Sequence, residues 1–234
     1  MSILRHACFI ATFTAAAGVN AATIIGGATG DGDFESAGGT GPALYTAHAN
    51  WFNASGSEGI NFSNTSQMGG SSQAGSRGGM PFNGRVQVNN TGHTIGAAGE
   101  VFSLSYDFGA GGALANWGGD ETMRGFLFTA AAAVDGNLTT GDITEIAADS
   151  YDIDRANDGQ WTTRSIPVLY TSTGADVGNT VYFGMEFVDA GGNTLFPRID
   201  VVNLSVEAGV IPEPSSLVAC SLLVAGLVGA GRRR

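Results

Sequence analysis

The chain has no lysine, only two cysteines and few charges: 13% of its 234 residues are Asp, Glu, Lys or Arg. Each scarcity excludes something. Cys8 and Cys220 stand near opposite ends, so the long body between them has no disulfide and no thiolate metal site. A domain of that length needs no such staple, because its core can be large enough. Cations are scarcer still within the body. Ten arginines less Arg5 and the three at the C-terminus leave six, and 21 acids less Glu213 leave 20, for a body charge of −14. Such a surface repels nucleic acid and attracts divalent cations, so a nucleic-acid partner is excluded.

Long apolar runs are confined to the two ends. The N-terminus reads MSILRHACFIATFTAAAGVNAA. Arg5 and His6 give a short positive start, Ala7 to Gly18 is apolar and rich in alanine, and Val19-Asn20-Ala21 puts small residues before a cleavage point. This is the pattern of a secretory signal over residues 1–21, with the mature chain beginning near Ala22 and a secretion translocase as its first partner. An uncleaved N-terminal anchor is the alternative. At the other end, Ser215 to Gly231 carries no charge and Arg232, Arg233 and Arg234 follow at once. As a helix that run covers roughly 25 Å, near the lower limit for crossing a bilayer core. The arginines resist translocation and hold this end in the cytoplasm. Pro212 and Pro214 stop the helix from extending back into the body.

The order Pro212-Glu213-Pro214, apolar span, terminal arginine cluster resembles the PEP-CTERM sorting signal of Gram-negative bacteria, over residues 212–234. The resemblance implies passage through the inner membrane, recognition by an exosortase-type processing enzyme, and delivery to the cell envelope or an exopolysaccharide matrix. It gives Pro212, Glu213, Pro214, Arg232, Arg233 and Arg234 a role in recognition only.

Residues 22–211 form the body. Glycine is abundant there, 37 in the whole chain, and clusters in its first half, where long loops on a β framework are expected. Several stretches alternate with a period of two. In Val101–Phe108 (VFSLSYDF) the even residues are apolar, and in Val181–Val188 (VYFGMEFV) the odd ones are. Asp200–Val206 behaves in the same way, and shorter candidates are Arg85–Val88, Arg124–Thr129, Ile143–Ala147 and Trp161–Tyr170. Such alternation places one face of a sheet in a core and the other in solvent. Turn signals at Asn90-Thr91-Gly92, Asp135-Gly136, Asp158-Gly159 and Gly191-Gly192-Asn193 separate the runs. Eight or nine strands without a helical period predict an all-β fold. The expected form is a two-sheet antiparallel sandwich of jelly-roll type, followed by the C-terminal transmembrane helix. An immunoglobulin-type sandwich is the alternative.

Two stretches carry a further resemblance: Gly32-Asp33-Phe34-Glu35 near the start and Arg198-Ile199-Asp200-Val201-Val202-Asn203-Leu204 near the end. Together they resemble the edge strands of the galactose-binding-like jelly rolls, a group rich in carbohydrate-binding modules, with Asp31 standing where the first motif has Asn. The resemblance implies a structural Ca²⁺ where these strands meet, with Glu35 and Asp200 as carboxylate ligands. Calcium takes six to eight oxygens, so loop carbonyls would complete the shell. The alternative is that both carboxylates cap strand ends. The acidic stretch DSYDIDRANDGQW lacks EF-hand spacing and reads as a solvated loop.

Sugar recognition by a sandwich relies on aromatic faces flanked by polar groups. Trp51, Trp117 and Trp161 lie in or beside polar, glycine-rich stretches, and Trp117 with Asn116 and Asp120 is the most ligand-like set. The competing role for each indole is core or loop plug. Catalytic signatures are missing. His48 and His93 are isolated, no G-x-S-x-G elbow occurs, and Asp120 and Glu121 are sequence neighbours that diverge on a strand. The expectation is therefore a non-enzymatic, exported sandwich that binds polysaccharide. A secreted polysaccharide hydrolase or lyase and a purely structural matrix protein are the alternatives.

Overall fold

The computed structural model describes residues 21–27, 29–35, 43–45, 50–53, 60–64, 77–79, 86–111, 121–130, 144–153, 161–189 and 196–209. Residues 1–20 of the expected signal peptide, the Pro-Glu-Pro motif, the apolar tail with Arg232 to Arg234, and the set Asn116, Trp117 and Asp120 all lie outside the described residues. Within them the elements are all strands. They are β1 (Ala22–Ile25), β2 (Ala43–Tyr45), β3 (Trp51–Asn53), β4 (Ile60–Asn64), β5 (Arg77–Gly79) and β6 (Val86–Thr94). Then follow β7 (Val101–Gly111), β8 (Glu121–Ala130), β9 (Thr144–Ile153), β10 (Trp161–Thr171), β11 (Thr180–Asp189) and β12 (Phe196–Glu207). Among the described residues no helix is long and apolar enough to cross a membrane.

All pairings are antiparallel and form two sheets. One has seven strands in the order β10-β7-β12-β5-β4-β2, with β1 also on β12; the other has five, in the order β3-β6-β11-β8-β9. Setting aside the short β2 to β5, the sheets read β1-β12-β7-β10 and β6-β11-β8-β9. From β6 on, consecutive strands alternate between them, except that β8 and β9 are neighbours in one sheet. That is the double Greek key of a jelly roll. The core between the sheets follows from the period-two pattern. Phe102, Leu104, Tyr106 and Phe108 of β7 meet Val181, Phe183, Met185 and Phe187 of β11, all at most 2% exposed. Each such side chain contributes about 1.5–3 kcal/mol on burial.

A second apolar cluster lies on the opposite face of the five-stranded sheet. It comprises Val88, Phe126, Phe128, Ala130 and Tyr182, buried to 5% exposure or less. Phe126 lies over Gly184, where a Cβ would come within 2.4 Å of its ring. Phe128 stacks on Tyr182, with ring centroids 5.3 Å apart and planes at 9°.

Three expectations need correction. The Asn90-Thr91-Gly92 turn signal sits inside β6, where the register against β11 slips between Thr180 and Tyr182. Gly92 takes φ +67. Asn90 Oδ1 accepts from the Gly92 N–H at 3.1 Å, Thr91 Oγ1 accepts from His93 N–H at 3.0 Å, and the same hydroxyl donates to Val181 O at 2.6 Å. Turn chemistry here builds a bulge, because the neighbouring strand keeps pairing on both sides of it. The acidic stretch starting at Asp149 is strand, not loop, as far as Ile153. Gly32-Asp33-Phe34-Glu35 lies in the turn after β1 rather than in the first strand.

Candidate functional site

The outer side of the seven-stranded sheet, away from the core, is built by the residues that alternate with the core. On β7 these are Ser103, Ser105, Asp107 and Gly109. Register extends the rows. Ser165, Thr163 and Trp161 of β10 stand opposite Ser105, Asp107 and Gly109. On the other flank, Asn203, Asp200 and Arg198 of β12 stand opposite the same three residues. Directly opposed residues project from the same side of a sheet. The result is a face of hydroxyl, amide and carboxylate groups across three strands, with an indole at one end. Thr163, Ser165 and Asn203 are exposed, and Trp161, Ser105 and Asp107 half-buried.

Gly109 sets the posture of that indole. A Cβ at this position would lie 3.2–3.3 Å from Cδ2, Cε2 and Cε3 of Trp161, so the absence of a side chain lets the ring settle on the β7 backbone. Arg198, the third member of the row, is 4% exposed. Burial lowers its pKa to about 10, still well above neutrality, so it is a cation. It donates from Nη1 to Pro197 O at 3.2 Å. Asp200, in the next row, is 0% exposed, and its Oδ1 accepts from the Val201 N–H at 2.8 Å.

Asp200 begins an irregularity in β12. Val201 takes φ +50, an outlier for a β-branched residue, and the register against β7 shifts between Asp200 and Asn203. The turn that carries Glu35 docks at this bulge, with Val202 N–H donating to Gly32 O at 2.8 Å. Asp31 and Phe34 in the same turn take φ +57 and +58. Backbone strain of this kind persists where surrounding contacts fix it. The contacts are plain: Trp51 Nε1 donates to Asp31 O at 2.9 Å and Asn89 Nδ2 to Gly30 O at 2.7 Å. The structure thus brings the turn of Glu35 to within a few residues of Asp200 along β12. Among the described residues no three His, Cys, Asp or Glu side chains converge on a point. A calcium ion here would draw on two carboxylates, with carbonyl oxygens supplying the remainder, which is an oxygen-only set of the kind calcium accepts.

The tryptophans separate. Trp51 is 0% exposed, stacked on Phe34 at 4.8 Å with planes at 29°. It anchors the strained turn to the core and presents no face to solvent, so its expected place in a sugar site is corrected to a structural one. Trp161, half-buried, is the indole on the outer face of the seven-stranded sheet. Sequence reasoning missed Ser105, Asp107, Thr163, Ser165, Asn203 and Arg198. The polar half of VFSLSYDF was visible, but which strands flank it is a matter of topology.

Two further polar groupings hold the sandwich. Arg164 of β10 donates from Nη2 to Asp149 Oδ1 at 2.8 Å, from Nε to Oδ2 at 3.3 Å, and lies 4.8 Å over the Tyr151 ring. The bond to Asp149 raises the Arg164 pKa further. This clasp joins the edge strands of the two sheets. Tyr106 is buried beside it without a well-formed hydrogen bond from its hydroxyl; burial, with the Asp149 charge, raises the phenol far above its ordinary range. On the other sheet Arg124 bridges Glu145 and Glu186.

The fold defines the molecule as a two-sheet jelly-roll sandwich with a polar, Trp-bearing sheet face. No protein-family model matches the sequence, and no curated protein matches it. Solved structures do. A cyclase from Fischerella sp. TAU is 13% identical with a TM-score of 0.55, covering 81% of this chain and 99% of that one. The apo form of a cyclase from Fischerella sp. gives 13% identity and a TM-score of 0.52, covering 81% of this chain and 98% of that one. At this identity the likeness is one of fold alone. A tandem of CBM22 modules from Paenibacillus barcinonensis Xyn10C is also similar, at 13% identity and a TM-score of 0.45 over 78% of this chain and 50% of that one.

Proposed function

We propose that this is an exported, non-catalytic β-sandwich, sorted by its C-terminal signal to the envelope or exopolysaccharide matrix, that binds a glycan on the solvent face of the seven-stranded sheet. The observation that carries the binding role is the Trp161 ring lying on Gly109, in line with rows of hydroxyl, amide and carboxylate groups on β7, β10 and β12. A pyranose has an apolar C–H face and an equatorial rim of hydroxyls. An indole meets the first, while Asp107, Thr163, Ser165 and Asn203 meet the second. Polar rims of this kind fix orientation, and the aromatic contact supplies desolvated area. The acidic body favours a neutral glycan over an anionic one. The reading keeps a structural calcium at Glu35 and Asp200, with turn carbonyls, as support for the strained corner rather than as part of the sugar site.

Retention of the body on immobilised polysaccharides tests the binding role, with reducing-end release followed in the same incubation. Retention without release, lost in Trp161→Ala and kept in Trp51→Phe, is the expected result. Release of reducing ends would replace the reading with a hydrolase. Failure to bind any of a broad glycan panel would leave a purely structural matrix protein.

A further inference from the structure

Ala22, where the mature chain is read to begin, pairs with Val206 near the end of the last strand. Gly209, the last described residue, packs on the β6–β7 connection: a Cβ there would lie 2.6 Å from Ala98 O and from the Gly99 carbonyl carbon. The two points at which the chain enters and leaves the body are therefore side by side. Both lie at the end of the sandwich capped by the connections 95–100 and 172–179. Trp161 lies at the other end, since β10 runs from Trp161 to Thr171, about 33 Å of strand.

That cap is tightly made. Gly99 N–H donates to Ser172 O and Ser172 N–H to Glu100 O, both at 2.8 Å, and Gly178 N–H donates to Ile95 O at 2.9 Å. Ser172 Oγ accepts from Glu100 N–H at 2.9 Å and donates to Ala97 O at 2.8 Å. The carboxylates of the two connections turn inward. Glu100 is 7% and Asp176 8% exposed. Glu100 accepts from Gly96 and Ala97 N–H and meets His93 Nε2 at 2.7 Å. Asp176 accepts from the Tyr170 hydroxyl at 2.6 Å and from Thr173 N–H and Oγ1–H at 2.6 and 2.7 Å. Val177, 46% exposed, stands out from the same cap.

We propose that this cap is the membrane-facing end of the body while the tail is still in the bilayer, and that the Trp161 end points away into the matrix. The inference rests on the reading of residues 212–234 as a membrane-inserted sorting signal. Only five residues separate Gly209 from Ser215, where the uncharged span starts, a reach of at most roughly 20 Å. A tail leaving a locked exit by so short a tether cannot let the body turn end over end. Adjacent termini are common in domains. What adds direction is the short tether from a packed glycine, together with two connections that turn their own carboxylates inward and show an apolar valine, Glu207 at the end of β12 being the exposed acid beside them. The partner is a lipid surface, with the sugar face held farthest from it.

The absence of body cysteines makes the test direct. The full chain, exported through its own signal and carrying Cys220→Ser, receives a single cysteine at Gly174 in the cap or at Thr163 on the sugar face. A Cβ at Gly174 meets nothing within 4 Å, and Thr163 is exposed, so both variants should fold. Each is labelled with a donor dye and reconstituted in phosphatidylethanolamine–phosphatidylglycerol vesicles bearing an acceptor lipid. Several-fold more energy transfer from Gly174→Cys than from Thr163→Cys is expected. Equal or reversed transfer in chain that floats with the vesicles overturns the orientation and leaves the sorting signal standing. Chain that does not float overturns the tail reading and the orientation with it.

Discussion

At the residue scale, glycines decide where aromatic rings go. Gly109 receives Trp161 and Gly184 receives Phe126, the latter with a Cβ clearance of only 2.4–2.8 Å to three ring atoms. Gly184→Ala forces Phe126 out of its place above β11 and disturbs a cluster in which Phe126 is 3% exposed. Overpacking of this kind costs about 1–3 kcal/mol, so the urea midpoint should fall at unchanged m-value. A midpoint equal to the parent would show that the ring relocates freely. These positions explain why the tryptophans could not be ranked from sequence. Trp51 and Trp161 both follow polar residues, Asn50 and Gln160. One indole meets Phe34 and the strained turn, the other a bare glycine on a neighbouring strand, and neither partner is local in sequence.

At the scale of elements, the connections 95–100 and 172–179 give the fold an acid-sensitive end. Burial pushes the Glu100 carboxyl up, but His93 and the Gly96 and Ala97 N–H groups outweigh it and hold the pKa below the ordinary 4.5. The Tyr170 hydroxyl, then Thr173, hold Asp176 below its ordinary 3.8, against a smaller opposing effect of burial. Tyr170 in turn is pushed up to about 12 by burial and by Asp176. A carboxylate with a lowered folded pKa adds stability above its unfolded value and loses it as pH falls through the folded one. The melting temperature should therefore hold from neutrality to about pH 5 and drop as pH falls below 4. Glu100→Gln, which cannot titrate, should flatten part of that drop. Identical pH profiles for parent and variant would remove Glu100 from the account. Strand existence was legible at this scale wherever alternation was long, as in β7, β11 and β12. It was not legible in β2 to β5, three to five residues each: β3 and β5 join the edges of β6 and β12, and β4 and β2 follow on β5. The Asn90-Thr91-Gly92 signal was correctly seen as local turn chemistry, but strand pairing on either side decided that it makes a bulge.

At the scale of the whole molecule, the corner of Glu35, Asp200 and the strained turn joins the first and last parts of the body. An ion held there at a hundred times its Kd would add about 2.7 kcal/mol. EDTA should then lower the melting temperature by several degrees in the parent and have no effect in Glu35→Gln/Asp200→Asn. A parent melting curve unmoved after verified metal removal would show that hydrogen bonds alone hold the corner. The sequence by itself determined the fold class, since period-two alternation of apolar side chains needs no partner to be read. The proposal for the termini rests on the sequence alone, because charge, apolar length and proline placement are local along the chain. Tertiary structure alone decided which strands lie side by side, that Trp161 rests on Gly109 in line with Arg198, that Trp51 is core, and that entry and exit share one end. Those are pairings between residues dozens of positions apart, chosen by the mutual burial of two sheets, and no local pattern encodes them.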